Sequence, residues 1–527
     1  MAEQMLAADG RPLKASLNRA LRRQKLRALA LIAPLFFFIL ISFVMPIADM
    51  LFRSVENEIV ENTLPRTVDT LQDWDAASGE APSEEVFSAL YTDMALAVEY
   101  KSHTRLGSRL NYETTGISSL FRKSGRRVGR FDTDVYTKAF EAADPAYADP
   151  VKWSEWMADD SIRGALPRTA SAYDGWAEMI VNAEGDDPLE EQPWDFVYTA
   201  LYEDATAGGT LPIAADLSGV ERVSIRAQFE DIDENWTDPD VWRTIKTYSP
   251  TYTNGYFLNS VDLMKGAEGI EARPENERIY IILFIRTMIM SLSIMGMCVL
   301  LGYPIAWLLA NLPDRTANML MILVLLPFWT SLLVRTSAWK VLLQQQGVIN
   351  DTLVWIGIVS DGNRLELINN QTGTIIAMTH ILLPFMILPL YSVMKTIPPS
   401  YLRAAKSLGA TNWTAFWRVY FPQSVPGIGA GCILVFILAI GYYITPELVG
   451  GTKGVFISNR IAYHISSSLN WGLAAALGTI LLAIVLLLYW VYDKIVGIDN
   501  VKLGADPCLH CHHMQRRASV SGTTVFA

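Results

Sequence analysis

The chain of 527 residues lacks the usual means of hydrolysing nucleotides and has few cysteines for disulfides. No Gly-Lys dipeptide occurs, so there is no Gly-x4-Gly-Lys-Ser/Thr phosphate-binding loop and no ATP hydrolysis by that route. Only four cysteines are present and none lies within 53–278, so a domain folded from that stretch has no disulfide. Charged residues make up 18% of the chain and hydrophobic residues 51%, a balance that favours a membrane protein.

Six segments are apolar and long enough to cross a hydrocarbon layer of about 30 Å, which takes about 20 helical residues. The predicted spans are Leu29–Leu51, Ile279–Leu309, Met319–Trp339, Thr374–Met394, Ile428–Ile444 and Leu473–Tyr492. Asp49, near the end of the first span, is the only acidic residue within them. The 226 residues of 53–278, between the first two spans, are enough for a folded domain.

Charge is distributed unevenly along the chain. Residues 53–278 hold 43 of the 54 acidic residues but only 21 of the 43 basic ones, a net charge of −22. The first span is preceded by the basic residues Arg11, Lys14, Arg19, Arg22, Arg23, Lys25 and Arg27. Because an excess of Lys and Arg marks the cytoplasmic side, both termini are predicted inside and residues 53–278 outside, in the periplasm. A retained anchor is favoured over a cleaved signal peptide, since Met45-Pro46-Ile47 is no small-residue cleavage site.

This topology divides the chain into five predicted parts. They are a basic cytoplasmic N-terminus (1–27), a transmembrane helix (28–52), a periplasmic inserted domain (53–278), a transmembrane domain (279–495) and a cytoplasmic tail (496–527). The inserted domain is predicted to be mostly helical or α+β, with a short strand-like run near 220–229. In the tail, Cys508-x-x-Cys511-His512 matches a haem-attachment pattern, but c-type haem is attached outside. Adventitious metal affinity or a disordered tail is the favoured interpretation.

Two patterns in the inserted domain are ambiguous. A basic cluster comprises Arg122, Lys123, Arg126, Arg127 and Arg130. It could contact lipid headgroups or an acidic partner, although a solvated loop is the favoured interpretation. Asp231-x-Asp233-x-Asn235 is similar to the start of a calcium loop, but Trp236 and Trp242 occupy the positions that require Gly and Glu. An acidic surface turn is therefore expected, and no metal site is predicted.

Polar and helix-breaking residues lie inside the predicted spans, where function usually resides. The candidate pore or gate residues are Arg286, Tyr303, Pro304, Pro327, Trp329, Arg335, His380, Pro384, Tyr442, Tyr443, Pro446 and Glu447. Each could be structural, because arginines extend to the interface and prolines kink helices. Repeated breaks in four spans nevertheless favour a gated pathway, since broken helices at membrane depth are tolerated where they line a cavity.

The basic segment 398–425 connects the fourth and fifth predicted spans on the cytoplasmic side. Proline stops the preceding helix, a short helix is predicted for 401–408, and Gly409 is free to take the left-handed conformation that ends it. Asn412 is predicted to cap a second helical turn, 413–420, which Pro422 and Pro426 end. The pair Ala404-Ala405 leaves a surface that a groove of another protein could approach closely. An ordinary helical hairpin between spans is the alternative.

The loop pattern Arg403-Ala404-Ala405-x3-Gly409-x9-Val419-x-Phe421-Pro422 resembles the E-A-A-x3-G-x9-I-x-L-P loop of ABC importer permeases, with Arg in place of Glu. More specifically, several segments resemble the spermidine/putrescine permease B branch. They are Arg286-Thr287, Gly302-Tyr303-Pro304, Leu326-Pro327-Phe328-Trp329, Leu383-Pro384-Phe385 and Gly441-Tyr442-Tyr443 with Thr445-Pro446-Glu447. The likeness covers about 279–495 together with the first span and the basic segment before it, and the insertion at 53–278 has no counterpart in it.

The resemblance implies an all-α, six-helix permease of the type I importer fold that forms half of a translocation pore. It implies a second permease, two ATP-binding subunits holding ATP and Mg, and a periplasmic substrate-binding protein. The chain itself is then not an enzyme, binds no cofactor or nucleic acid, and carries a polyamine-like or an opine- or amino-acid-like solute. Its coupling residues would be Arg403, Ala404, Ala405, Gly409, Val419 and Pro422.

Two other classes of protein remain as alternatives. An ion-coupled secondary transporter needs ionisable residues near the middle of the membrane, where only His380 is a candidate. A membrane sensor needs an internal signalling domain, and the residues after Tyr492 are too few for one.

Overall fold

The computed structural model describes residues 13–266 and 269–496; the cysteine and histidine cluster of the tail lies outside them. The described residues form two compact units. One contains the chain up to Glu277 together with Asn470–Ala476, and the other contains Arg278–Leu469 and the chain from Leu477 onward. The first unit begins with α1 (Leu13–Ile39), a π-turn (Leu40–Val44) and α2 (Met45–Arg53). Residues Gln24–Arg53 of this continuous helix are apolar enough to cross a membrane.

The inserted stretch is built mainly of short helices. They are α3 (Ile59–Thr63), α4 (Pro65–Thr70), α5 (Glu84–Glu99), α6 (Ser102–Leu110), α7 (Ile117–Gly125), α8 (Asp134–Ala143), α9 (Pro150–Ala158), α10 (Asp160–Ala165), α11 (Pro167–Met179), α12 (Asp195–Thr206), α13 (Ile225–Ile232), α14 (Pro239–Thr247) and α15 (Gly255–Ser260). Among the described residues, the only sheet pairs β1 (Leu263–Lys265) antiparallel with β2 (Ile270–Ala272). A core of aromatic and aliphatic side chains fills the space between the helices.

The strand predicted near 220–229 is wrong, because α13 occupies the second half of that stretch and no strand is assigned to the first half. The Ser224 hydroxyl accepts a hydrogen bond from the backbone N–H of Ala227 at 3.1 Å and so caps the helix. Ile225 and Phe229 are both buried, at a spacing of four residues that places them on one helix face. Helical spacing, together with the cap, therefore decides the local structure.

The inserted domain contains an internal duplication that the sequence interpretation missed. Leu-Pro-Arg-Thr occurs at 64–67 and 166–169, and Leu-Tyr-x-Asp at 90–93 and 201–204. Phe-Glu-x2-Asp-x2-aromatic-x-Asp-Pro-x2-Trp occurs at 140–153 and 229–242. The first repeat runs from α3 to α9, and the second runs from α10 to α14.

The two copies make the same hydrogen bonds. Thr67 donates from its N–H and its hydroxyl to one carboxylate oxygen of Asp93, at 2.7 and 2.8 Å. Thr169 donates in the same way to Asp204, at 2.8 Å in both bonds. In each copy a buried carboxylate thus satisfies an N–H in the first turn of a helix, where no intrahelical acceptor exists. The repeated sequence is therefore also a repeated structure.

The aromatic packing crosses between the repeats. Phe87 on α5 of the first repeat lies 4.8 Å from Trp242 of the second, measured between ring centroids. The corresponding residue of α12, Tyr198, lies 5.2 Å from Trp153 of the first repeat. Each repeat therefore completes the other, and neither buries its own aromatic residues alone.

The second unit contains the remaining helices. They are α16 (Tyr280–Asn311), α17 (Asp314–Leu325), α18 (Leu332–Leu342), α19 (Val348–Trp355), α20 (Gln371–Lys395), α21 (Pro399–Ser407), α22 (Asn412–Ala415), α23 (Phe421–Gly441), α24 (Ile444–Val449), α25 (Gly451–Gly454) and α26 (Ile457–Ser466), followed by most of α27 (Trp471–Val496). With Gln24–Arg53, five described helices are long and apolar enough to span a membrane. A sixth span exists only if α17 and α18, bent by 93° at a short break, count as one.

Two of the four predicted helix breaks are wrong. Helix α16 continues through Pro304, and α20 continues through Pro384. A membrane helix tolerates proline when neighbouring groups take up the freed backbone atoms, so proline alone does not indicate a break. The break at Pro327 and the break at Tyr442 are present, the second between α23 and α24.

Helices α20 and α23 pack closely because α23 presents glycine to its neighbour. A Cβ atom added at Gly427 would lie 3.0 Å from Val393 Cβ and 3.3 Å from the backbone of Leu390. One added at Gly431 would meet the sulfur of Met386 at 2.5 Å. Small residues at such positions let helix backbones approach in a membrane.

Candidate functional site

The loop between α20 and α23 contains a short exposed helix ended by glycine. Helix α21 begins with Pro399 and ends at Ser407, and Gly409 then takes φ = +89°, where a side chain would be strained. Thr411, rather than the predicted Asn412, caps the next helix, since its hydroxyl accepts the N–H of Thr414 at 3.2 Å. The helical turn that precedes the glycine thus has the predicted shape.

The predicted end of the second turn is wrong. The helix continues from Asn412 through a π-turn (Phe416–Tyr420) and through Pro422 and Pro426 to Gly441. Pro422 lies in the first turn of α23, where a missing N–H costs little. The segment 411–425 is therefore the entry of a spanning helix rather than a separate turn.

The loop exposes an apolar surface around the predicted coupling residues. Arg403 and Ala404 are exposed and Ala405 is half-buried. Leu408 is 90% exposed and Trp413 72% exposed. Single exposed apolar side chains are common, but a large leucine and a tryptophan beside a small-residue helix form a patch suited to binding another protein.

The other side of the loop is packed onto the spanning helices. Tyr303 of α16 lies 6.1 Å from the ring of Phe416 and 5.9 Å from that of Phe421, between ring centroids. Its hydroxyl lies 3.0 Å from the hydroxyl of Ser424. Val419 is half-buried and Pro422 is exposed on the same segment. Tyr303 thus connects the loop segment to α16 and to the start of α23.

Other predicted pore residues surround the break between α17 and α18. Pro327 lies in a 3-10 turn, and Trp329, in the same turn, is 73% exposed. On α18, Trp339 donates from its indole N–H to Nδ1 of His380, at 3.1 Å. Arg335 lies on the same helix, four residues before Trp339. The structure thus brings His380 against Trp339 of α18, the helix that also carries Arg335, while Pro304 and Pro384 lie in continuous helices.

A second cluster forms a cleft of about 520 Å³ beyond the end of α23. Its lining includes Tyr443, Glu447, Thr452, Asn459, Arg460 and Tyr463. Glu447 is exposed and presents a carboxylate to this space, whereas Pro446 is buried beneath it. The Arg286 guanidinium donates to the backbone carbonyl of Thr452 at 3.0 Å, which fixes one wall. Acidic, basic and aromatic groups together suit a small polar solute.

Asn459 organises this cleft, and the sequence interpretation missed it. Its side-chain N–H groups donate to the Glu447 carboxylate at 2.6 Å and to the Tyr443 carbonyl at 2.9 Å. Its side-chain oxygen accepts the N–H of Phe456 at 3.0 Å. Two of the three bonds of this buried amide are made to the segment after the break at Gly441, and the third caps its own helix, α26. The available signal was an amide at the third residue of a helix, a capping position.

Comparison with known proteins identifies the family of this membrane region. Residues 299–496 match the model of the binding-protein-dependent transport system inner membrane component. The spermidine/putrescine transport system permease protein PotB of Escherichia coli K12 is 36% identical over 203 residues, which cover 38% of this chain and 73% of PotB. This chain belongs to that family.

Other matches extend the comparison. The inner membrane ABC transporter permease protein YdcU of Escherichia coli K12 is 33% identical over 227 residues, 41% of this permease and 71% of YdcU. A solved bacterial alginate ABC transporter in complex with an alginate-bound periplasmic protein is 19% identical, with a TM-score of 0.35, over 47% of this permease and 81% of that chain. The permease is therefore a multi-pass inner-membrane transport subunit of an ABC importer and not an enzyme.

Proposed function

We propose that this permease forms half of a translocation pore that imports a polyamine-like solute, with a second permease forming the other half. Two ATP-binding subunits hold ATP and Mg and perform the hydrolysis. A periplasmic substrate-binding protein delivers the solute. Both termini lie in the cytoplasm and residues 53–278 in the periplasm, as the basic N-terminal segment indicates.

The observation that carries this proposal is the two-sided coupling loop. Outward it exposes Leu408 and Trp413 beside a small-residue helix, and inward it packs on Tyr303 of a spanning helix. An ATP-binding subunit that binds the outer side of the loop would move α16 and α23 when the two ATP-binding subunits close. The pore would then alternate between a state open to the outside and a state open to the inside. Family membership favours this mechanism over an ion-coupled carrier.

The substrate class rests on the relatives and on the cleft. PotB is named as a spermidine/putrescine permease, and Glu447 supplies a carboxylate that suits an ammonium group. Arg460 also lines the cleft, which favours an opine- or amino-acid-like solute with a carboxylate as the second candidate.

The proposal is tested by Gly409→Val in the complete transporter. A non-glycine residue in the left-handed region costs about 1–2 kcal/mol, and a β-branched one more, so the helix end is displaced. We expect the complex to assemble and still to hydrolyse ATP. Uptake of solute into vesicles should fall at least about tenfold, because a strain of about 1.4 kcal/mol corresponds to a factor of ten in an equilibrium constant.

The matched control is Gly357→Val, because Gly357 also has a left-handed φ of +83° and, like Gly409, no atom within 4 Å of an added Cβ. It lies outside the coupling loop and should leave uptake near normal. Normal uptake by Gly409→Val, or an equal loss in both variants, would count against the mechanism.

A further inference from the structure

The internal duplication allows the two repeats of the inserted domain to be compared. Elements present in both repeats can then be separated from an element present in one of them. In the first repeat, α5 is joined to α8 by a helical hairpin, residues 101–131, which contains α6, α7 and a 3-10 turn. In the second repeat, α12 is joined to α13 by residues 207–224, which contain no helix. The shared fold is thus completed without such a hairpin, and the hairpin is found in the first copy alone.

The inner face of the hairpin covers a buried aromatic side chain, and the loop of the second repeat covers the corresponding one. Phe121 packs on Trp236 with ring centroids 5.6 Å apart, and the indole N–H of Trp236 donates to the hydroxyl of Ser124 at 2.9 Å. At the corresponding place in the second repeat, the Tyr147 hydroxyl donates to the carbonyl of Ile213 at 2.6 Å. Covering this aromatic residue therefore does not explain why the hairpin is helical and basic.

The turn of the hairpin is fixed by buried charges. Glu113 accepts from Arg109 at 2.7 Å and from Arg273 at 2.9 Å, and all three side chains are buried. The Arg109 guanidinium also lies 4.2 Å from the ring centroid of Tyr256. The first of these ion pairs lies within the hairpin, and the second joins the hairpin to Arg273 in the rest of the domain.

That outer face carries arginines that have no acidic partner. Arg105, Arg122, Arg126 and Arg130 are exposed, and none of them is within salt-bridge distance of a carboxylate among the described residues. Elsewhere in the domain, the half-buried Arg163 lies 2.6 Å from Asp174, whereas the exposed Arg222 has no carboxylate within salt-bridge distance among the described residues. The domain has a net charge of −22, so acidic residues are abundant. Four of the exposed arginines without such a partner lie in the hairpin, and Arg222 lies outside it.

The neighbouring basic residues are neutralised within the domain. Lys123 binds the Asp233 carboxylate at 2.5 Å, and this hydrogen bond lowers the pKa of Asp233. Arg127 lies 3.7 Å from Asp231. In the acidic pattern that is similar to a calcium loop, Asp231 and Asp233 are therefore paired with these two basic residues. Asp233 also accepts a hydrogen bond from the backbone N–H of Asn235. What remains is a patch of four arginines surrounded by negative charge.

We propose that the outer face of the 101–131 hairpin is a docking surface for an acidic region of the soluble substrate-binding protein. Arginine forks bind carboxylates in two parallel hydrogen bonds and are enriched at protein interfaces. The surrounding negative field repels an acidic partner everywhere else, so the patch orients the incoming protein and raises its association rate. The inference rests on the proposed function, which supplies that partner and places it on the same side of the membrane.

The test uses the complete transporter in nanodiscs and the substrate-binding protein of the same transport system. We compare Arg122→Glu/Arg126→Glu with Lys138→Glu/Lys152→Glu, which makes the same charge change at exposed sites outside the hairpin. The Kd is measured at low and at high salt. We expect the hairpin variant to raise the Kd at least about tenfold at low salt and to flatten its salt dependence, and the control to change the Kd less than about twofold. Arg122→Lys/Arg126→Lys should restore most of the binding.

Three results would overturn the docking inference. They are an unchanged Kd for the hairpin variant, an equal loss in the control, and a loss confined to binding of the transporter to phosphatidylglycerol vesicles, which would assign the patch to lipid. If the unaltered transporter binds no substrate-binding protein at all, the proposed function fails together with the inference. If it binds normally and the hairpin variant binds equally well, only the inference fails.

Discussion

The duplicated helix cap gives a quantitative prediction, because the two copies differ in one contact. Asp93 and Asp204 each accept two hydrogen bonds from a fully buried threonine. Asp93 also accepts from Arg66 Nη1 at 3.0 Å, whereas the nearest guanidinium nitrogen of Arg168 is 4.0 Å from Asp204. We therefore compare Asp204→Ala with Asp93→Ala in the full-length protein.

The magnitude follows from the groups left unpaired. Asp204→Ala removes the acceptor of the N–H and the hydroxyl of Thr169, and one buried unsatisfied group costs about 1–3 kcal/mol. We expect a loss of about 2–4 kcal/mol in the free energy of unfolding for this variant, and roughly 1 kcal/mol more for Asp93→Ala, because Arg66 also loses its carboxylate partner and keeps only Ser171 among the described residues. In a domain of this size, 1 kcal/mol lowers the Tm by about 2–4 °C.

The assay is thermal unfolding of the detergent-solubilised protein, followed by tryptophan fluorescence. Asp216→Ala is the control, since among the described residues Asp216 accepts hydrogen bonds only from Ser218, nearby on the surface. We expect the Tm to fall by roughly 4–16 °C for Asp204→Ala, further for Asp93→Ala, and by less than about 1 °C for the control. A Tm unchanged by either cap variant, or lowered more by Asp204→Ala, would refute the reasoning.

Two further predictions concern the membrane region. Gly427→Leu should overpack α20 against α23, destabilise the protein by about 1–3 kcal/mol and lower the yield of monodisperse protein in gel filtration. Gly441→Leu should not, since among the described residues no neighbouring atom lies within 4 Å of a Cβ added there. Equal yields would exclude the close helix contact. Glu447→Gln should raise the KM for uptake of a polyamine at least about tenfold while ATP hydrolysis stays normal. Glu366→Gln is the control. An unchanged KM for Glu447→Gln would show that Glu447 does not bind the substrate.

Several features could be predicted from local sequence because their causes are local. Apolar segments about 20 residues long indicate helices that cross a membrane, and five of the predicted spans appear as continuous helices in the structure. Gly409 was predicted to take a left-handed conformation because it ends a helix, and it does so with φ = +89°. The prolines misled the prediction because their effect depends on neighbours: Pro304 and Pro384 lie in continuous helices.

The sequence by itself determined the class of this protein, since hydrophobic segment length and the motifs of the coupling loop are read along the chain. Only the tertiary structure decided which residues act together. Asn459 bonds the carboxylate of Glu447, twelve positions away, and Phe87 packs on Trp242 from the other repeat. Such pairs depend on how the chain folds back on itself, because side chains distant in sequence meet only after helices have packed.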